Sequence, residues 1–202
     1  MTTKRELAGR ANTGRRDELV DAAIRVVARE GLASTTTRKI ADESGLPLGT
    51  VHYWFTGKEQ LLEEVLLVTM RRMSDAVEAT ARSNAASLLD TLRAAWRTVT
   101  EEPDAQLALY ELTCMAVRTP GMRTLAERQY ALYRTVAHGT LERWAEHVDL
   151  PLSQLGPLST LLASSFDGLV LAWLADPEGT DADQALQMLV ALIESLTFER
   201  QA

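Results

Sequence analysis

This chain of 202 residues has one cysteine, Cys114, so it can form no internal disulfide, and that usage fits a reducing compartment. Histidine is scarce as well. His52, His138 and His147 lie far apart, with no second His, Cys or Asp at ligand spacing, so no metal site is expected. No Gly-rich phosphate loop, no G-x-S-x-G and no C-x-x-C occurs, so neither an enzyme nor a cofactor finds support. The longest apolar runs are short and broken by charge, which predicts no membrane partner. The N-terminus, MTTKRELAGRANTGRR, is basic but has no apolar stretch to make it a secretory signal. A cytoplasmic protein is expected.

An overall cationic excess is also missing: the net charge is −7. Its distribution is uneven, however. The first sixty residues hold ten Lys or Arg against eight Asp or Glu, a balance of +2 that leaves −9 for the rest. Any polyanion would therefore meet the N-terminal part and be discouraged elsewhere. With 46% hydrophobic and 24% charged residues, the chain reads as globular and long enough to bury a core.

Helical periodicity runs throughout, and no strand pattern competes with it. The fold class is all-α with about nine helices. A first helix is expected over 14–30, where Leu19, Ala22, Ala23, Val26 and Val27 recur at helical spacing before Gly31. Later helices are expected over 58–81, from 84 or 87 to 100, and over 104–118, 121–147, 153–175 and 181–200, separated by Pro103, Pro120-Gly121, Pro151 and Asp176-Pro177-Glu178-Gly179. The segment 1–14, with Lys4, Arg5 and Arg10, reads as a flexible basic arm. It could touch phosphate or the minor groove, or be a tail without a role.

The segment 36–58 organises the rest. Thr36 can cap a helix over 37–44 that turns Ile40 and Ala41 to one side. Gly45 permits the left-handed backbone that ends it. A second short helix then runs from about Pro47 to Trp54, with Leu46, Val51 and Phe55 able to pack back. Two short helices around a glycine turn have the layout of a helix-turn-helix. The readers at base edges or phosphates would be Leu48, Gly49, Thr50, His52, Tyr53 and Trp54 on the second helix. Thr36, Thr37 and Arg38 at the start of the first helix, and Lys58 at the next, would hold phosphates.

The runs G-L-A-S-T-T-T-R-K-I-A (31–41), S-G-L-P-L-G-T-V-H-Y-W-F (44–55) and G-K-E-Q-L-L (57–62) resemble the DNA-binding domain of TetR-family regulators over about residues 15–62. Leu48 departs from the polar or cationic residue frequent in that family, so its position could read a thymine methyl or nothing. Thr56-Gly57 replaces a more usual Pro-Ser or Pro-Asn. The resemblance implies a helix-turn-helix domain over 15–60 and a helical effector-binding and dimerisation domain over 61–202. It also implies a repressor that a small molecule releases from a palindromic double-stranded operator.

For the effector, large or polarisable groups on the later helices are candidates: Trp96, Tyr110, Cys114, Met115, Tyr130, Tyr133, Phe166 and Trp173. Asp167, with Glu111 and Arg118 as further possibilities, would add polar contacts; most of the large residues are expected simply to be core, and each charged one could be a solvated or paired charge. The helix over 153–175 is apolar on more than one face and studded with small residues, so it needs cover on several sides. In TetR-like proteins the last two helices pack into a four-helix bundle with a second copy. The expected homodimer interface is Leu158, Leu162, Ser165, Leu169, Leu189, Ile193 and Leu196. Two other functions remain open on the residues alone, an effector-independent DNA-binding or partner-recruiting protein and a helical-bundle enzyme.

Overall fold

The computed structural model describes the backbone of residues 4–83, 87–146, 148 and 152–198, with the side chains of most of them. Among the described residues the elements are nine helices. They are α1 (Lys4–Glu30), α2 (Thr37–Ser44), α3 (Leu48–Trp54), α4 (Lys58–Ser83), α5 (Leu88–Thr100), α6 (Pro103–Arg118), α7 (Arg123–Ala145), α8 (Leu152–Ala175) and α9 (Ala182–Phe198). The expected all-α architecture is what the chain adopts. The first helix starts earlier than expected: α1 begins at Lys4, so the backbone of 4–14 is helical. Its first turns, Lys4, Arg5, Glu6, Leu7 and Ala8, are good helix formers that extend a helix already nucleated by its buried half.

The chain divides into two compact units, and not at residue 60. One comprises Met1–Met70 with Asp104–Ala126, the other Arg71–Pro103 with Glu127–Ala202. In the first unit α1 buries Leu19, Ala22, Ala23, Val26 and Val27, the row its periodicity marks. Ile40 and Ala41 of α2, Val51 of α3, Phe55, and Leu61, Leu62, Val65 and Leu66 of α4 are buried as well. Arg16 holds α1 to α4: its guanidinium lies 5.7 Å from the centre of the Phe55 ring and pairs with Glu64 at 2.7 Å. From the later sequence, α6 buries Ala108, Leu109, Leu112 and Ala116.

The second unit has its own apolar core, formed by Leu88 and Leu92 of α5, Ala137 and Leu141 of α7, Leu155, Leu158 and Leu162 of α8, and Leu186, Val190 and Ile193 of α9. A two-pronged pair, Arg93 Nε to Asp183 Oδ1 at 2.6 Å and Nη2 to Oδ2 at 2.8 Å, links α5 to α9 at the surface. Leu158, Leu162 and Ile193, expected to face a second copy, are thus buried inside the chain. Leu169 and Leu189 pack half-buried against the same core, and Ser165 is half-buried. The side chain of Leu196 lies outside the described residues. The outward apolar groups are others: Leu161 and Leu171 on α8, Met188 and Leu192 on α9. A helix apolar around its circumference does not reveal which row meets its own chain. The stretch Ser153–Ala175 is long and apolar enough to cross a membrane by length and composition, yet only 22% of its most apolar window is buried in the chain.

Candidate nucleic-acid interface

The geometry of 36–55 follows from local chemistry. Thr36 is extended, and its hydroxyl accepts the Lys39 N–H at 3.2 Å, which caps α2. Gly45 ends α2 at φ 69°, and the Leu46 N–H reaches back to Ala41 O at 3.2 Å. Pro47 then starts α3 without needing an N–H partner. Val51 and Phe55 are buried, and that anchoring leaves the opposite side of α3 outward. On this side Tyr53 is 72% exposed and Leu48 40% exposed, beside exposed Gly49 and His52 and half-buried Thr50. A row of a methyl-bearing, a small, a hydroxyl, an imidazole and a phenol group can meet both base edges and backbone phosphates.

Trp54 behaves differently from expectation. Its ring meets Tyr53 edge-on at 5.2 Å, but its indole N–H is enclosed and has no acceptor among the described residues. In this conformation it supports Tyr53 rather than donating to phosphate. At the start of α2, Thr36 and Arg38 are exposed and Thr37 half-buried, and Arg38 makes no ion pair among the described residues. Lys58, read as a phosphate anchor, donates to the carbonyl of Leu32 at 3.0 Å.

Several supporting residues escaped sequence reasoning. Glu43 on α2 takes hydrogen bonds from Arg25 Nε at 2.8 Å and Arg29 Nη1 at 3.0 Å, both on α1. Those bonds hold its carboxyl below the usual carboxylate range. Glu30 is lowered likewise, first by Lys39 at 2.7 Å and then by Arg29. Lys39 also donates to Ser34 O at 2.9 Å. The cations at 25, 29 and 39 therefore fix α2 on α1. Only a three-dimensional register reveals this, since the paired residues are 9 to 18 positions apart.

The candidate effector residues divide between the units. Tyr110, Cys114 and Met115 sit on α6 in the first, with Cys114 exposed and Tyr110 and Met115 half-buried. In the second, Trp96 meets Phe166 and Trp173 edge-on, each at 5.9 Å. Asp167 accepts the Tyr130 hydroxyl at 2.8 Å, which supplies a partner for a carboxylate within an apolar helix. Tyr130 packs on Tyr133 at 5.5 Å, and burial pushes the Tyr133 hydroxyl pKa up. Glu111, grouped with these by sequence, instead accepts the backbone N–H of Leu32 in the first unit.

Comparison with known proteins matches both parts of the chain. Residues 19–65 match the family described as bacterial regulatory proteins, tetR family, and residues 79–195 match the tetracyclin repressor-like C-terminal domain. The HTH-type nicotine-responsive transcriptional repressor HdnoR of Paenarthrobacter nicotinovorans is 29% identical over 81% of this chain and 85% of its own length. The HTH-type transcriptional repressor KstR2 of Rhodococcus jostii is 37% identical over 49% of this chain and 50% of its own. Among solved structures, a transcriptional regulator from Pseudomonas aeruginosa PAO1 superposes with a TM-score of 0.73 at 22% identity, covering 92% of this chain and 91% of that one. The multidrug binding protein EbrR in complex with malachite green gives a TM-score of 0.64 at 25% identity, over 88% and 97%. A reading head of this geometry, joined to a helical body that matches the same family over more than half the chain, identifies the protein as a member of the TetR family of bacterial transcriptional regulators.

Proposed function

We propose that this protein is a homodimeric, cytoplasmic transcriptional repressor whose two α3 helices enter successive major grooves of a palindromic operator. Binding of a small molecule to the C-terminal helices releases it. The observation that carries this reading is the outward row Leu48, Gly49, Thr50, His52 and Tyr53, held by buried Val51 and Phe55. The relatives support a regulator rather than an enzyme, since those compared are transcriptional repressors and regulators. Dimerisation is supported by the apolar groups that α8 and α9 turn outward: Leu161, Leu171, Met188 and Leu192 are 48–64% exposed. The same faces make covering by a second copy a better reading of α8 than passage through a membrane. Asp167, midway along α8 and bonded to Tyr130, agrees with that.

For the effector, the cluster of Trp96, Phe166 and Trp173 and the Tyr130–Asp167 pair support an aromatic small molecule. A relative named as nicotine-responsive, and a neighbour solved with malachite green, point the same way. Release requires that the molecule bind one state of the protein more tightly than the other.

A mobility shift with the DNA upstream of its own gene tests the reading. A saturable complex of two protomers per palindromic site is expected, with affinity falling steeply as salt rises because phosphate contacts release counterions. Tyr53→Ala should weaken the complex by about tenfold or more while leaving the solution mass unchanged. Absence of any saturable complex at low salt, with folded dimer present, would refute the proposal.

A further inference from the structure

The connector between α1 and α2 is held by side chains from two distant parts of the sequence. Helix α1 ends at Gly31, where φ is +76° and the N–H bonds to Val27 O at 2.9 Å. This single bond is the simpler left-handed termination, and it leaves the next N–H, that of Leu32, without a helical carbonyl to meet. The Glu111 carboxylate of α6 takes that N–H through Oε2. The same carboxylate lies over the turn, where a Cβ at Gly31 would make ordinary contact with it, 3.5 Å from Oε1 and 3.6 Å from Oε2.

The other face of the same residue is also occupied. The Leu32 carbonyl accepts the Lys58 ammonium at 3.0 Å, from the first turn of α4, and the Thr35 N–H at 3.3 Å. Thr35 is buried, and its hydroxyl donates to Gly31 O at 2.8 Å. Thr36, the cap of α2, follows at once. One peptide residue is thus gripped at its donor by an anion and at its acceptor by a cation, directly before the helix that presents α3. Charge-assisted bonds of this kind are stronger and more strict in geometry than neutral ones.

We propose that Glu111 is a positioning residue for operator binding: from α6 it fixes the Leu32 amide, and with Lys58 it sets where α2, and hence α3, begins. The inference rests on the operator-binding reading above. Glu111 acts through the backbone it holds and not by touching DNA.

The test uses full-length protein with Glu111→Ala and Glu111→Gln. The glutamine keeps an oxygen able to accept from Leu32 N–H, and the alanine does not. Two quantities are measured: operator affinity by fluorescence anisotropy, and hydrogen exchange at the Leu32 amide in the free protein. The alanine variant is expected to lose protection at Leu32 and about tenfold in operator affinity, with circular dichroism unchanged. The glutamine variant should recover both to within about threefold, a rescue that a general loss of packing would not give. Loss of Leu32 protection with full operator affinity would overturn the proposal, as would a glutamine variant as weak as the alanine one. Should the alanine variant fail to fold, the glutamine variant and Leu32 exchange in the parent protein decide: an unprotected Leu32 amide in the parent overturns it. Failure of the parent to bind any operator, with Leu32 protected, would instead refute the underlying DNA-binding reading.

Discussion

Substituting Gly45 isolates the backbone contribution to the helix-turn-helix. Its φ is 69° and ψ 12°, with the N–H directed to Ala41 O and Asp42 O. A Cβ built there meets nothing within 4 Å, so Gly45→Ala introduces no clash with any neighbour. What remains is the intrinsic penalty of a left-handed L-residue, in which Cβ crowds the following carbonyl, about 1–2 kcal/mol. That shifts the unfolding equilibrium by roughly 5- to 30-fold. A domain stable by about 5–15 kcal/mol stays almost wholly folded after such a loss. Chemical denaturation followed by circular dichroism should therefore show a lower midpoint at an unchanged slope. Operator affinity at 25 °C should move by less than about twofold. Gly45→Asn should fall between, since asparagine tolerates this region better. An alanine variant as stable as the parent would refute the argument. So would one with the expected loss of stability that no longer bound the operator, because a variant still almost wholly folded should keep its affinity.

Other consequences are equally direct. Phe55→Ala removes a buried ring beneath the Arg16 guanidinium and should cost about 3–5 kcal/mol in thermal or chemical unfolding, and a loss under about 1 kcal/mol would mean that the site collapses around the gap. Leu192→Glu places a carboxylate on the outward apolar face of α9 and should yield monomers by light scattering, whereas an unaltered dimer would move the interface elsewhere. Glu30 and Glu43 have lowered pKa values in the folded state, so their contribution is present above the ordinary carboxylate range and lost as pH falls through the lowered values. Denaturation midpoints should drop over that acid window, and Glu43→Gln should flatten the drop. A profile identical to the parent's would show that the pair contributes nothing.

The parts legible in the sequence are those decided by neighbours in the chain. Thr36, Gly45 and Pro47 each act within a turn of themselves, and the bounds of α2 and α3 came out at or within one residue of expectation. The start of α1 was missed because Gly9, Asn12 and Gly14 resemble a loop one residue at a time, while the helix propagates through them from its buried half. Long-range partners were illegible. Nothing near Glu111 in sequence points to Leu32, 79 positions away, so α6 was assigned to the body although it shares a unit with the reading head. The rows of α8 were confused for a related reason: Leu158 and Leu161 are equally apolar, and only the packing of α5, α7 and α9 separates inside from outside. The Trp54 indole illustrates the limit at a single atom, for periodicity gives the direction of a helix face but not the burial of one N–H.

The grip on Leu32 also restricts how this chain can change. In an ordinary ion pair the two charges can trade places, because each recognises only the sign of the other. Here neither side chain meets the other in the bonds described. Each answers a peptide group whose polarity cannot be reversed, the N–H needing an acceptor and the carbonyl a donor. Exchanging Glu111 with Lys58 would set like against like at both ends, an ammonium facing an N–H and a carboxylate facing a carbonyl. Positions 58 and 111 are therefore locked independently, the first as a donor and the second as an acceptor, through a residue whose own side chain takes no part.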